Sequence, residues 1–417
     1  MEEILKAKLR ILIVTQYFWP ENFRINDVAQ GLSNLGHKVT VLTGMPNYPG
    51  GALFKGYSFA GPYSESWGAV EVRRAPLVPR GNSNALRLAI NYASHALATT
   101  LLARYLIPKS IDCILVFEPS PISIGIPARF IKWLTRAPIA FWVQDLWPQS
   151  LEATGAVKSR AVLGIADRLT RWIYRGCDRV LIQSEAFAEP IRRQGVPSHK
   201  IEYMPNSAES YYRRLPAQGS DRETDGLPRG FRVMFAGNIG AAQDMPSLVS
   251  AAELLRDHPN IHWIILGEGR MRSWVVEQIR QRRLERTVHW LGSKPPEAMP
   301  EYFAKADVLL ATLRREPIFA YTIPSKIQSY LACGKPVIAA LEGEGARIIR
   351  DAGAGWVVPP EDPKSLAHAV LAASRLSTKD FETMGSRAEE FFLKSFERNM
   401  LLSRLESVLT ALAEMPR

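Results

Sequence analysis

Short apolar runs alternate with helical patterns along the whole chain, stop at one polar stretch, and then start again. The first set of runs begins at Leu9, His37, Asp112, Ala137, Asp178 and Lys200, with helical periodicity between them, as over Asn26 to Leu35 and Ala161 to Tyr174. Segments such as ILIV, CILVF and IAFWV contain no polar break. A strand that is apolar on both faces needs cover on both faces, which is the environment of a parallel sheet between helices. Residues 207–230 interrupt the pattern with a polar, turn-rich sequence of the kind that links domains. The alternation resumes at Phe231, Ile261, Val288, Ala306, Pro336 and Ala354. A chain of 417 residues is too long for one ordinary domain and suits two of roughly 200 residues. The expected fold class is α/β, with doubly wound parallel-sheet domains over residues 1–206 and 231–378, a linker at 207–230, and a helical segment at 379–417. Ligands of such sheets bind at the carboxyl ends of the strands, so the chemistry is expected at strand-to-helix turns facing a cleft between the domains.

Several classes are disfavoured. Cys113, Cys177 and Cys333 are far apart and show no metal-ligand spacing, so they are expected to be reduced thiols in a cytoplasmic protein. The first apolar run is short and is followed by Pro20 and Glu21, unlike a secretory signal. The longest apolar helical stretch, Leu86 to Ile107, carries Arg87, His95 and Arg104. It is therefore expected to be a core helix, with a helix lying on a membrane surface as the alternative. The net charge is +11, and most of it falls within residues 1–195. A basic first half suits an anionic partner, and no nucleic-acid-binding signature is present. Anionic lipid is the better match.

Three turns in the second half could hold a phosphate. In Phe235-Ala-Gly-Asn-Ile-Gly240, Gly237 and Gly240 flank Asn238, and Gln243 follows closely. Glycines here let backbone N–H groups approach an anion. In Leu266-Gly-Glu-Gly269, Gly267 and Gly269 flank Glu268, but the third glycine of a dinucleotide fingerprint is missing, which disfavours a nicotinamide enzyme. The third turn opens a helix, with Thr322 as its expected N-cap and Ile323 and Pro324 in its first turn. Free N–H groups and the helix dipole attract anions to such an end, and Lys326 adds a full charge. Lys326 is therefore expected to act on a departing diphosphate. In the first half, Asp145 ends a strand and is a candidate base, with an N-capping role as the plain alternative. Glu21, Asn22 and Arg24 follow the first strand.

Taken in order, Ile13-Val-Thr-Gln-Tyr-Phe-Trp-Pro-Glu21, Gln144-Asp-Leu-Trp-Pro148, Met204-Pro-Asn206, the two glycine turns, Pro324-Ser-Lys326 and Ala332-Cys-Gly-Lys-Pro336 form a set. The chain resembles the family 4 glycosyltransferases of the GT-B fold, and most of all the members that assemble surface polysaccharides. The resemblance implies two Rossmann-like domains, with the acceptor on the first and the nucleotide diphosphate sugar on the second. It also implies that the last helices return to the first domain. The implied reaction is a retaining, metal-independent transfer with no cofactor beyond the donor, by default UDP-linked and carrying a sugar such as an N-acetylated deoxyhexosamine. The acceptor would be a lipid-diphosphate-linked glycan at the cytoplasmic membrane face. Glu21, Asn22, Arg24 and Glu118 would border it, the last within Phe117-Glu118-Pro119. Two glutamates usual in the family fall on Tyr321 and Ser329 here. Ser329, Gln328 or a glutamate from another loop would then meet the ribose, and Lys326 with Ser325 the diphosphate. A GT-B sugar-nucleotide epimerase and a catalytically degenerate scaffold are the alternatives.

Overall fold

The structure is a computed structural model describing residues 8–61, 63–81, 84–153, 157, 159–216 and 226–415. Residues 217–225 of the expected linker lie outside the described residues. The chain forms two compact units, one of residues 1–205 with 399–417 and one of residues 206–398.

The first unit holds β1 (Arg10–Val14), β2 (Lys38–Gly44), β3 (Ser64–Trp67), β4 (Val70–Ala75), β5 (Cys113–Glu118), β6 (Ile139–Val143), β7 (Arg179–Ile182) and β8 (Ile201–Tyr203). They join in the order β3-β4-β2-β1-β5-β6-β7-β8, all parallel except β3 against β4. Sequence reasoning missed that hairpin. SESW and VEVRRA are too polar to read as core strands, and Arg74 is nonetheless fully buried. Its guanidinium is satisfied by Glu65 and by the carbonyls of Gly44 and Trp19, which is what a buried cation requires.

The helices of this unit are α1 (Arg24–Asn34), α2 (Ala85–Leu101), α3 (Ala103–Leu106), α4 (Gly125–Thr135), α5 (Gln149–Ala153), α6 (Arg160–Arg175) and α7 (Ala188–Arg193). Helix α2 corrects the expectation of a core helix. Its buried residues are Asn91, His95, Ala96 and Thr99, whereas Leu86, Leu97 and Leu101 are 72%, 62% and 69% exposed. The helix is inverted relative to an ordinary amphipathic one, with its apolar stripe outward. Among the described residues no helix is long and apolar enough to cross a membrane.

The second unit holds β9 (Phe231–Ala236), β10 (Ile261–Leu266), β11 (Val288–Trp290), β12 (Val308–Thr312), β13 (Val337–Ala340) and β14 (Gly355–Val358). They form a parallel sheet in the order β11-β10-β9-β12-β13-β14. Its helices are α8 (Met245–Leu254), α9 (Arg272–Gln281), α10 (Met299–Lys305), α11 (Pro317–Tyr321), α12 (Ser325–Ala332), α13 (Glu344–Ala352), α14 (Pro363–Ala373) and α15 (Thr378–Ser395). Successive strand residues feed opposite cores: Met234, Ile264 and Leu309 pack on one face, and Val233, Phe235, Ile265 and Leu310 on the other. This two-sided burial is why the strands read as unbroken apolar runs.

Residues 379–417, read from sequence as one returning segment, part company. In α15 and just after it, Ala388, Phe392 and Phe396 stay in the core of the second unit. Only the final helix, α16 (Arg398–Ala413), joins the first unit, where Leu401, Leu405, Leu409 and Leu412 pack with Ile11, Val39 and Leu115. Part of the expected linker is also structural, since Tyr212 stacks on Phe303 at 6.0 Å.

Candidate active site

In the second unit, the turns after β9 and β10 lie against each other. Gly237 N donates to the Leu266 carbonyl at 2.9 Å, and Ile239 N to that of Glu268 at 2.8 Å. The approach is so close that a Cβ on Gly267 would stand 1.9 Å from the Gly237 carbonyl oxygen, and one on Gly269 would stand 2.4 Å from that of Ile239. Their φ values of 145° and 158° also belong to glycine. Asn238 is exposed at the rim. Gly240 opens the short turn that carries Gln243. Glu268 is exposed, 3.7 Å from Arg272 Nε.

Lys326 reaches this double turn from the first turn of α12. Its Nζ donates to Gln243 Oε1 at 2.7 Å and stands 3.9 Å from the centroid of the Phe235 ring. Gly237 is also adjacent, since a Cβ there would lie 3.5 Å from Nζ. One neutral hydrogen bond and one ring face replace water poorly, so burial lowers the Lys326 pKa to about 7. Among the described residues, no carboxylate pairs with it, and its hydrogen-bond partner is the neutral Gln243 amide. An ammonium held this way is poised for an incoming anion.

The helix itself starts later than its sequence suggested. Pro324 is its N-cap, with no side chain over the end, so Ser325 and Lys326 supply first-turn N–H groups. Ile323 is buried. Thr322 belongs to the preceding helix: it follows α11, and its hydroxyl donates to the Ile318 carbonyl at 3.1 Å. Ser329 is 6% exposed. Its hydroxyl bonds to the Ser325 carbonyl at 3.4 Å and lies within reach of the Tyr212 hydroxyl. Gln328 Nε2 donates to the Asn206 carbonyl at 2.7 Å. Ser329 and Gln328 are thus engaged within the protein, and a ribose contact at either would have to displace those bonds. The structure brings Gly237, Gln243, Gly267, Gly269, Ser325 and Lys326 together and turns Thr322, Ile323 and Ser329 inward.

In the first unit, a polar cluster gathers at the carboxyl ends of β1, β2, β5 and β6. Burial lifts the Asp145 carboxyl to about 6, against the Ser150 hydroxyl and Leu146 N–H that favour its charged form. Glu118 is fully buried. Burial first, then the charge of Asp145, pushes its pKa well up. Glu21 corrects its assigned place at the acceptor rim. It is 2% exposed, and Oε1 accepts from the N–H groups of Asn47 and Tyr48 at 2.8 and 2.7 Å. It therefore fixes a turn. Asn22 is exposed, and Arg24 is half-buried at the start of α1.

Sequence reasoning missed the residues that Glu21 organises. Tyr17 stacks on Phe23 at 4.9 Å, and both rings touch Tyr48. The Arg80 guanidinium lies 5.0 Å from the Tyr48 ring centroid and donates to the Tyr17 hydroxyl at 2.7 Å. Tyr92 is within hydrogen-bonding reach of Tyr17 and Ser120 and senses the charges of Arg80 and Asp145. The available signal was slight: an arginine and two tyrosines, each just past the end of a strand.

Comparison with known proteins matches both units of the chain. The family model described as glycosyl transferases group 1 matches residues 230–375, and the glycosyl transferase 4-like domain matches residues 22–207. A candidate colanic acid biosynthesis glycosyl transferase, WcaI of Escherichia coli K12, is 25% identical over 349 residues, covering 80% of this chain and 84% of that protein. A candidate glycosyltransferase, WbjE of Pseudomonas aeruginosa, is 25% identical over 279 residues, covering 65% of this chain and 67% of its own. The crystal structure of Anabaena HepE with UDP superposes with a TM-score of 0.70 at 16% identity, over 97% of this chain and 100% of that one. The two family models together take in most of the length, the fold is shared over nearly all of it, and the chain belongs to the family 4 glycosyltransferases of GT-B architecture.

Proposed function

We propose that this glycosyltransferase moves a sugar, with retention, from a UDP-sugar to a lipid-diphosphate-linked saccharide during surface-polysaccharide assembly at an anionic membrane. The observation that carries the donor half is the Lys326 ammonium, held beside the Gly237 turn at the uncapped start of α12. Helix N–H groups and a cation together match a diphosphate leaving group. HepE, solved with UDP, and WcaI, tied by name to colanic acid, support the choices of nucleotide and pathway class. In the first unit, Arg80 and the neighbouring tyrosines suit a phosphorylated saccharide, and Asp145 is the base that takes the acceptor hydroxyl's proton. Calorimetry with UDP tests the donor half. Wild type is expected to bind and Lys326→Ala to bind at least about tenfold more weakly, roughly 1.4 kcal/mol. Equal affinity in the two proteins would remove Lys326 from the site.

A further inference from the structure

The inverted helix α2 borders an apolar cavity of about 460 Å³, within the range of roughly 300–1,000 Å³ usual for small-molecule sites. Ala93 and Leu97 of α2, Ile122 in the turn before α4, Ile126 of α4, and Ala166 and Leu169 of α6 line it. Its lining also includes Tyr92, whose hydroxyl belongs to the Arg80–Tyr17–Asp145 cluster. A polar, cationic end and an apolar trough thus share one residue.

The rim continues the apolar surface outward. Leu86, Ile90, Leu97 and Leu101 recur on one stripe of α2, and Val162, Ile165 and Trp172 on one stripe of α6, all exposed. Trp133 of α4 is 72% exposed. Exposed apolar stripes beside an apolar cavity mark an interaction site. Its chemistry selects the partner: α2, α3, α4 and α6 carry eight Lys and Arg residues and one acid, Asp167. Basic residues interleaved with exposed Leu, Ile and Trp suit an anionic lipid surface.

We infer that the trough between α2, α4 and α6 seats the first part of the hydrocarbon chain of a membrane-borne lipid phosphate, with its phosphate toward Arg80 and Tyr92. The inference rests on the proposed lipid-linked acceptor and specifies where that lipid is held. The stripes of α2 and α6 lie in the bilayer surface, so the lipid slides from the membrane into the trough without exposing its chain to water.

Vesicle sedimentation of the full chain tests this. One set of phosphatidylcholine vesicles carries a polyprenyl phosphate, and a second carries phosphatidylglycerol at matched charge. Wild type is expected to bind the first set at least fivefold more tightly, on the order of 1 kcal/mol. Ala93→Trp and Ala166→Trp, which fill the trough, should each abolish that preference and keep the charge-driven binding. Leu97→Glu with Leu101→Glu should lose both. Thermal melting and UDP calorimetry report folding and donor binding in each variant. Failure of wild type to bind either vesicle, an unchanged preference in both tryptophan variants, or a dimer in solution that buries this face would overturn the inference. Absence of UDP binding with the vesicle preference intact would overturn the donor reading alone.

Discussion

Lys326 Nζ and Gln243 Oε1 meet at 2.7 Å although 83 residues separate them in sequence. The bond is neutral on one side, so it holds the ammonium in place without compensating its charge. Burial accordingly lowers the Lys326 pKa to about 7. A bound diphosphate favours the protonated form and raises that pKa. UDP binding above pH 7 must therefore take up a proton, and affinity falls as pH climbs, by up to about tenfold per unit. Calorimetry at pH 8 in buffers of different ionisation enthalpy is expected to show uptake approaching one proton. Lys326→Met should remove it, which separates the lysine's contribution from the ionisation of UDP itself. No difference between the two proteins would mean that Lys326 does not change protonation on binding.

The contact between Gly267 and Gly237 leaves no room for a side chain. A Cβ at 1.9 Å from a carbonyl oxygen cannot be relieved by rotating anything, because both partners are backbone. Gly267→Ala must pull the two turns apart and adopt an unfavourable φ. A cost of about 2 kcal/mol or more is expected. UDP affinity should fall with it, because Ile239 N and Glu268 O no longer meet at 2.8 Å. Gly50→Ala in the first unit has open space around its Cβ and serves as the control. Chemical denaturation and calorimetry of the two variants check the pair of effects, and a neutral Gly267→Ala would contradict the packing described.

The central strands of both sheets were legible because they are buried on two sides: IAFWV over Ile139–Val143 has no exposed residue. The β3–β4 hairpin was not, because its Glu and Arg residues are paired with one another and with carbonyls only in the folded state. Lys326 was legible from a helix start and Gln243 from the turn after β9, yet the bond between them was not, since their meeting depends on how β9 and α12 pack. Thr322 misled by propensity. Its hydroxyl finds a carbonyl behind it, and the proline two residues on, fixed in φ and lacking an N–H, takes the N-cap position. The outward stripe of α2 was present in the sequence as a periodicity, but periodicity alone does not say which face is covered.

Asp145 is held at a pKa of about 6 by burial, moderated by Ser150 and the Leu146 N–H. As the base for the acceptor hydroxyl, it must be ionised to work. Protonation below pH 6 then removes activity, so kcat/KM is expected to fall tenfold per unit on the acid side. Asp145→Asn should lower turnover by at least about tenfold, or 1.4 kcal/mol of barrier, and abolish that limb. Ser150→Ala removes a hydrogen bond to the charged form, so its limb should shift to higher pH with the plateau little changed. A pH profile that Ser150→Ala leaves in place would assign the limb to another group.

Glu21 offers the sharpest separation between the two units. Its carboxylate takes N–H bonds from Asn47 and Tyr48 at 2.8 and 2.7 Å, and a third from Phe18 at 3.3 Å. Burial outweighs these bonds and raises the pKa to about 7. With the folded pKa above that of the unfolded chain, ionising Glu21 costs stability progressively as pH rises from about 4.5 to 7, and the cost stays constant above. Glu21→Gln keeps one acceptor oxygen for the turn and cannot ionise, so its melting temperature should approach or exceed wild type at pH 8 and lie below it at pH 5. Glu21→Ala removes the acceptor of all three N–H groups, and the two that are buried, on Phe18 and Asn47, cost about 1–3 kcal/mol each. It also frees Tyr48 from the Arg80 and Tyr17 cluster, so the acceptor KM should rise while UDP affinity holds. A parallel fall in UDP affinity would show that Glu21 serves the whole chain's folding and has no specific role in the acceptor cluster.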